Sequence, residues 1–177
     1  MELQLKDIEL AAKRLNPILH HTELDMSTTF STMTGGEIYL KCENRQKTGS
    51  FKIRGASNKI AVLVERGDVK SVVASSAGNH AQGVAYAAHK FGIPATIVMP
   101  ESAPIAKIQA TEGYGAKVIL HGSCYDDAYE MACTVCDTEG STFLHPYNDL
   151  DVIAGQGTLG LEILGDLPTA DVVIVPA

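Results

Sequence analysis

SVVASSAGNHAQGVAYAAHKFGIPATIVMP, residues 71–100, decides the fold class. "SVVAS" (71–75) is a short, apolar, β-branched run, residues 79–91 carry a helical pattern that stops at Gly92, and "ATIVMP" (95–100) is a second apolar run. Strand, helix and strand within thirty residues imply a crossover and a parallel pair. The cycle continues. Residues 104–113 read as a helix and "AKVILH" (116–121) as a strand, followed by a helix over 124–139, Gly140, and the strand "STFLH" (141–145). Continuous apolar strands, rather than alternating ones, point to a sheet covered on both faces.

Outward from this core the pattern is looser. Residues 4–15 read as a helix ended by Asn16-Pro17, "EIYLKCE" (37–43) as a strand, and 50–66 as a helix closed by Gly67. After the turn-rich "HPYNDLD", residues 151–164 read as a helix and "ADVVIVPA" (170–177) as an apolar strand at whose end the chain stops. Ligand loops normally follow the carboxyl end of such a strand. The expectation is therefore a truncated chain.

The 177 residues are 45% hydrophobic and 20% charged, with a net charge of −7 and no dense basic cluster, so nucleic acid is not expected as a partner. No apolar run reaches membrane-spanning length. "MELQLKDIELAAKRLNP" mixes charges into a helical pattern and is not read as a signal peptide. Four cysteines are too few for a disulfide framework, and a cytoplasmic setting is expected. Cys133 and Cys136 have a redox-like spacing but fall inside a helix without a second cysteine pair, so no metal site is expected. Lys41 is read as structural, Arg54 and Asn58 as steadying the 50–66 helix, with Arg54 facing a ligand as the alternative.

Two stretches carry the chemistry. "SSAGNHAQG" (75–83) follows a strand and opens a helix, which presents free amides and the positive end of a helix dipole to an anion. Ser76, Ala77 and Gly78 are small enough for close approach, and Asn79 and His80 add side-chain donors. The stretch is neither a Walker loop nor a G-x-G-x-x-G fingerprint. A short polar cup of this kind suits a carboxylate, although a βα turn that needs small residues looks the same. "KTGSFKIRGA" (47–56) holds Lys52 after Phe51 and a Thr48-Gly49-Ser50 turn. Periodicity leaves Lys52 open as a solvated lysine, a phosphate clamp or a Schiff-base nucleophile.

Together, "KTGSFKIRGA" and "SSAGNHAQGVA" resemble the fold-type II pyridoxal-phosphate enzymes, closest to the threonine/serine dehydratase branch that includes serine racemase. "IYLKCENRQKTGSFKIRGA", "IVMPESAPIAKIQATEGYGAKVILHG" and "VIAGQGTLGLEIL" extend the similarity over the whole chain. The resemblance implies an α/β fold. Residues 46–149 would form the small domain, an open parallel sheet with helices on both faces. Residues 1–45 and 150–177 would belong to an incomplete large domain. It implies that Lys52 bonds the cofactor and later moves the Cα proton, that Phe51 packs beside the cofactor ring, and that Asn79 bonds its 3′-oxygen. Ser76, Ala77, Gly78 and His80 would hold the substrate carboxylate.

The implied reaction is deaminating dehydration of L-threonine to 2-oxobutanoate, or of L-serine to pyruvate, by a homo-oligomeric parent lyase. Amino-acid catabolism and isoleucine biosynthesis both stay open. Similar racemases carry a serine at the position of Ala77 as a second base. Alanine cannot move a proton, so dehydration is favoured over racemisation. The family's phosphate-binding loop lies outside these residues, so the chain alone is expected to be inactive. A racemase and a non-catalytic module remain as alternatives.

Overall fold

The computed structural model describes residues 2–175. Helix α1 (Leu5–Leu15) leads into strand β1 (Leu24–Met26), helix α2 (Thr28–Thr34) and strand β2 (Tyr39–Lys41). Helix α3 (Lys52–Arg66) then precedes β3 (Val72–Ser75), α4 (Asn79–Phe91), β4 (Ala95–Met99) and α5 (Ile105–Gly113). The chain continues through β5 (Lys117–Leu120), α6 (Tyr125–Glu139), β6 (Thr142–Phe143) and α7 (Leu150–Asp166). The helices expected to stop at Gly67, Gly92 and Gly140 do so.

The parallel sheet has the order β5-β4-β3-β6. Its two central strands are buried along their whole length. Alternate residues serve opposite faces: Val72, Ala74, Ile97 and Met99 pack with Ile60, Ala81 and Val84 of α3 and α4. Val73 and Val98 pack against Ala128, Ala132 and Val135, one stripe of α6. The sheet is thus covered on both faces, as its apolar strands require. The chain steps outward from β3 to β5 beneath α4 and α5, then returns beneath α6 to the other side of β3. Strand order therefore reverses at the β3–β6 pair, where open α/β sheets place their ligands, at the strands' carboxyl ends.

Two expectations need correction. The strand expected over 37–43 shortens to β2, which pairs antiparallel with β1 in a separate two-stranded sheet. The strand expected over 170–177 does not form in residues 171–175, and residues 176–177 lie outside the described residues. Val172 and Ile174 are 76% and 87% exposed, and among the described residues no strand pairs with them. Among the described residues, no helix is long and apolar enough to cross a membrane.

Helix α3 touches its neighbours backbone to backbone. A Cβ added at Gly155 of α7 would lie 2.6 Å from the Arg54 carbonyl oxygen and 2.7 Å from the Gly55 Cα. A Cβ at Gly83 of α4 would lie 3.1 Å from the Ile53 Cα. Ionic contacts fix the same helix. Arg54, 1% exposed, donates to Glu43 at 2.8 Å and to Glu162 of α7 at 2.7 and 2.9 Å. Lys59 reaches Asp149 at 2.8 Å and Asp151 at 2.9 Å. Gly155→Ala is expected to destabilise the protein by about 1–3 kcal/mol, because backbone, not a mobile side chain, occupies the space. Gly160→Ala, with nothing within 4 Å of its added carbon, is expected to be neutral or stabilising by about 0.5–1 kcal/mol. Denaturant unfolding of the two variants checks the contrast.

Candidate active site

Lys52 is the first residue of α3, and a tight turn sets it there. Gly49 takes φ +73°, a left-handed conformation open to glycine at no steric cost, and its amide donates to the Gln46 carbonyl at 2.8 Å. Gln46 is buried, and its side chain bridges to His20: Oε1 accepts the His20 amide at 3.1 Å and Nε2 donates to the His20 carbonyl at 2.7 Å. The loop before the helix is therefore anchored from both sides. The Ser50 hydroxyl accepts the Lys52 amide at 3.4 Å.

The Lys52 ammonium donates to the Pro146 carbonyl at 3.2 Å and stands 5.4 Å from the centre of the half-exposed Phe51 ring. No carboxylate pairs with it among the described residues. Pro146 belongs to the turn after β6. His145 shapes that turn: its Nδ1 accepts the Tyr147 and Asn148 amides at 3.3 and 2.8 Å.

The loop 75–79 leaves the neighbouring strand β3 and opens α4. Ser76 donates its amide to the Val98 carbonyl at 3.2 Å, and its hydroxyl accepts the Gly78 amide at 3.2 Å. A Cβ at Gly78 would meet nothing within 4 Å, so this side of the loop is open. The first amides of α4 have no intrahelical carbonyl to bind and stay free for an anion. Asn79 is exposed, and its Oδ1 accepts the Lys107 ammonium of α5 at 3.3 Å.

The expectation that His80 adds a free side-chain donor is corrected. Its imidazole is 3% exposed, and Nε2 donates to the Leu144 carbonyl at 3.1 Å, which ties α4 to the end of β6. Its Nδ1 is buried without a partner. Burial pushes its pKa down from 6.5 to about 4, and the Lys52 charge adds to that against the raising effect of the Leu144 bond. His80 is thus a neutral brace between α4 and the end of β6.

The structure brings Lys52, the 76–80 loop and the turn at Pro146 together at the carboxyl ends of β3 and β6. Leu144 and Pro146, which enter through their carbonyls, had no legible sequence signal, whereas Gly83 stood inside the quoted "SSAGNHAQG". Arg54 is engaged by protein groups, donating to Glu43, Thr158 and Glu162. Its two carboxylates outweigh its burial and raise its pKa. Burial alone would raise Glu162, but hydrogen bonds from Arg54 and Lys41 hold its carboxyl below the ordinary value. Lys41 is structural, paired with Glu162 at 2.8 Å. On α6, burial pushes the Cys136 thiol up to about 11, which leaves it protonated and a poor nucleophile. A cavity of about 280 Å³ opens between α1 and α7, and neither Lys52 nor the 76–80 loop lines it. Chemically, an amine free of a carboxylate partner beside an anion-accepting helix head can attack a carbonyl carbon while a carboxylate is held.

A family model described as pyridoxal-phosphate dependent enzyme matches residues 15–177. The chain is 59% identical over 174 residues to an L-threonine ammonia-lyase of Thermotoga maritima, a match covering 98% of this chain and 43% of that protein. It is 51% identical over 175 residues to the catabolic L-threonine dehydratase TdcB of Staphylococcus aureus, covering 98% of this chain and 51% of that one. The structure of maize serine racemase superposes with a TM-score of 0.92 at 38% identity, covering 97% of this chain and 52% of that chain. The chain thus spans about half the length of the curated relatives it matches.

His80 carries a pH prediction. The unfolded imidazole takes a proton below about 6.5, the folded one only below about 4. Its stabilising contribution is therefore complete above pH 6.5, declines as pH falls toward 4, and is flat below that. His80→Gln keeps a donor for the Leu144 carbonyl and lacks this titration. The stability difference between wild type and His80→Gln should shift against the wild type across that window, measured by urea unfolding at stepped pH.

Proposed function

The chain belongs to the pyridoxal-phosphate dependent enzyme family, and on that premise we propose that its protein is a threonine/serine ammonia-lyase. The observation that carries this is the free Lys52 amine beside the anion cup, in a chain 59% identical to an L-threonine ammonia-lyase. Relatives carry about as much chain again, so the reaction is assigned to a protein with that further chain present. The division into 46–149 as a small domain, flanked by 1–45 and 150–177 of a larger one, is part of the same proposal. It is supported by the parallel sheet lying wholly within the middle range.

Two features fit the cofactor: an amine without an ionic partner, and an open loop whose Gly78 has room for a ligand. When bound, pyridoxal phosphate supplies an electrophilic carbonyl and an electron sink. Lys52 would hold it covalently, Phe51 would pack beside its ring, and Asn79 would donate to its 3′-oxygen. The loop formed by Ser76, Ala77, Gly78 and His80 would hold the substrate carboxylate. Lys52 would take the proton from Cα of the bound substrate and pass it to the departing β-hydroxyl, which would leave as water. A proton would then shift to Cβ, and a water adding at Cα would displace the nitrogen as ammonia. L-Threonine gives 2-oxobutanoate and ammonia, and L-serine gives pyruvate and ammonia. The catabolic name of the Staphylococcus aureus relative favours a catabolic role.

Racemisation is the competing reading, because the serine racemase fold superposes so closely. Ala77 speaks against it, since its methyl group cannot return a proton to the opposite face of Cα. Incubation with L-threonine and L-serine should yield the 2-oxo acids with no D-serine. Lys52→Ala should lower the rate by about 10³-fold or more. Chiral chromatography and a 2-oxo acid assay check both, and D-serine as the main product would overturn the assignment.

A further inference from the structure

Lys107 lies on α5, outside both stretches that carry the chemistry, yet its ammonium meets Asn79. An ammonium has three donors and no acceptor, so the Asn79 atom that it meets, at 3.3 Å, is the amide oxygen. The side-chain amide of asparagine is otherwise ambiguous, because its two ends are alike in shape and opposite in hydrogen bonding. A donor fixed on one end resolves the ambiguity and leaves Nδ2, with its two hydrogens, free for an acceptor.

We infer that Lys107 is a positioning residue: it holds the Asn79 amide in the one orientation that offers an N–H to an electron-rich ligand oxygen. The inference rests on the proposed contact between Asn79 and the cofactor 3′-oxygen. Without Lys107 the amide can turn over and present its own oxygen, which repels an anionic acceptor. The ammonium is held near the site by the register of α5, since Lys107 is in the helix's first turn and its amide donates to the Pro104 carbonyl at 2.8 Å. Its role differs from a bare positive charge at the site mouth. A charge would act on the cofactor directly, whereas a positioning residue acts only through Asn79.

A double-mutant cycle on the holoenzyme separates the two. Apo protein is prepared from wild type, Lys107→Met, Lys107→Arg, Asn79→Ala and the Lys107→Met/Asn79→Ala pair. Affinity for pyridoxal phosphate and the position of the bound cofactor's absorption band are then measured, with circular dichroism confirming the fold. Lys107→Met is expected to weaken affinity about five- to tenfold, the size of one net hydrogen bond, and to shift the band. Lys107→Arg should restore both. In the Asn79→Ala background the methionine should change affinity by less than about twofold. An equal loss in both backgrounds, or no loss from Lys107→Met alone while Asn79→Ala weakens binding, would overturn the inference. If Asn79→Ala itself changes neither affinity nor spectrum, the reading of Asn79 fails, and this inference with it.

Discussion

The close approach of α3 to two other helices is the constraint on which the site depends. Gly83 lets α4 lie against the backbone of Lys52 and Ile53, while Gly155 lets α7 lie against Arg54 and Gly55 on another side. A helix held at backbone contact has little freedom to slide or roll, because no flexible side chain cushions it. Its first residue therefore has a defined place relative to the head of α4. The amine of Lys52 and the head of α4 come from elements twenty-odd residues apart, and this packing holds them in one place.

Electrostatics reinforces the same arrangement. Arg54 is almost wholly buried, yet both ends of its guanidinium fork are paired, to Glu43 in the loop before α3 and to Glu162 on α7. Removing one partner would strand a charge in the interior, a costly state. Lys52, two residues earlier, has the opposite condition among the described residues: no carboxylate and one carbonyl. The sequence sets two basic residues two positions apart, and their partners divide them into a structural cation and an amine without an ionic partner among the described residues. His80 belongs with the structural set. Its neutral ring and the Lys52 ammonium each end on a carbonyl of the segment after β6, so this segment ties the two halves of the site together.

Much of this was legible before any coordinates. The apolar runs at 71–75, 95–100, 116–121 and 141–145 hold the four strands of the sheet, and α3, α4 and α6 end at Gly67, Gly92 and Gly140, the glycines that mark them. The motif pair was readable through its resemblance to a known family, since local pattern alone left Lys52 open and the 75–83 loop indistinguishable from an ordinary βα turn. Strand order was not, since nothing local states that β6 returns to the side of β3. That reversal brings Leu144 and Pro146 to the site, and carbonyl groups leave no trace in residue type. Of the β1–α2–β2 excursion only β2 was legible, inside the alternating run 37–43, while α2 was missed although Ser27 caps it and Gly35 ends it. Strand β1 is three residues long, too short for a periodicity to show. The 170–177 run was read as a strand on composition alone, and strand structure depends on a partner that composition does not name.

The central claim is that Lys52 is the amine that bonds the cofactor. Incubating the holoenzyme with borohydride, digesting it and mapping the fixed pyridoxyl mass by tandem mass spectrometry tests it directly. The account predicts the added mass on Lys52 and no other lysine. A pyridoxyl group on a different residue, in a protein that still deaminates L-threonine, would contradict it.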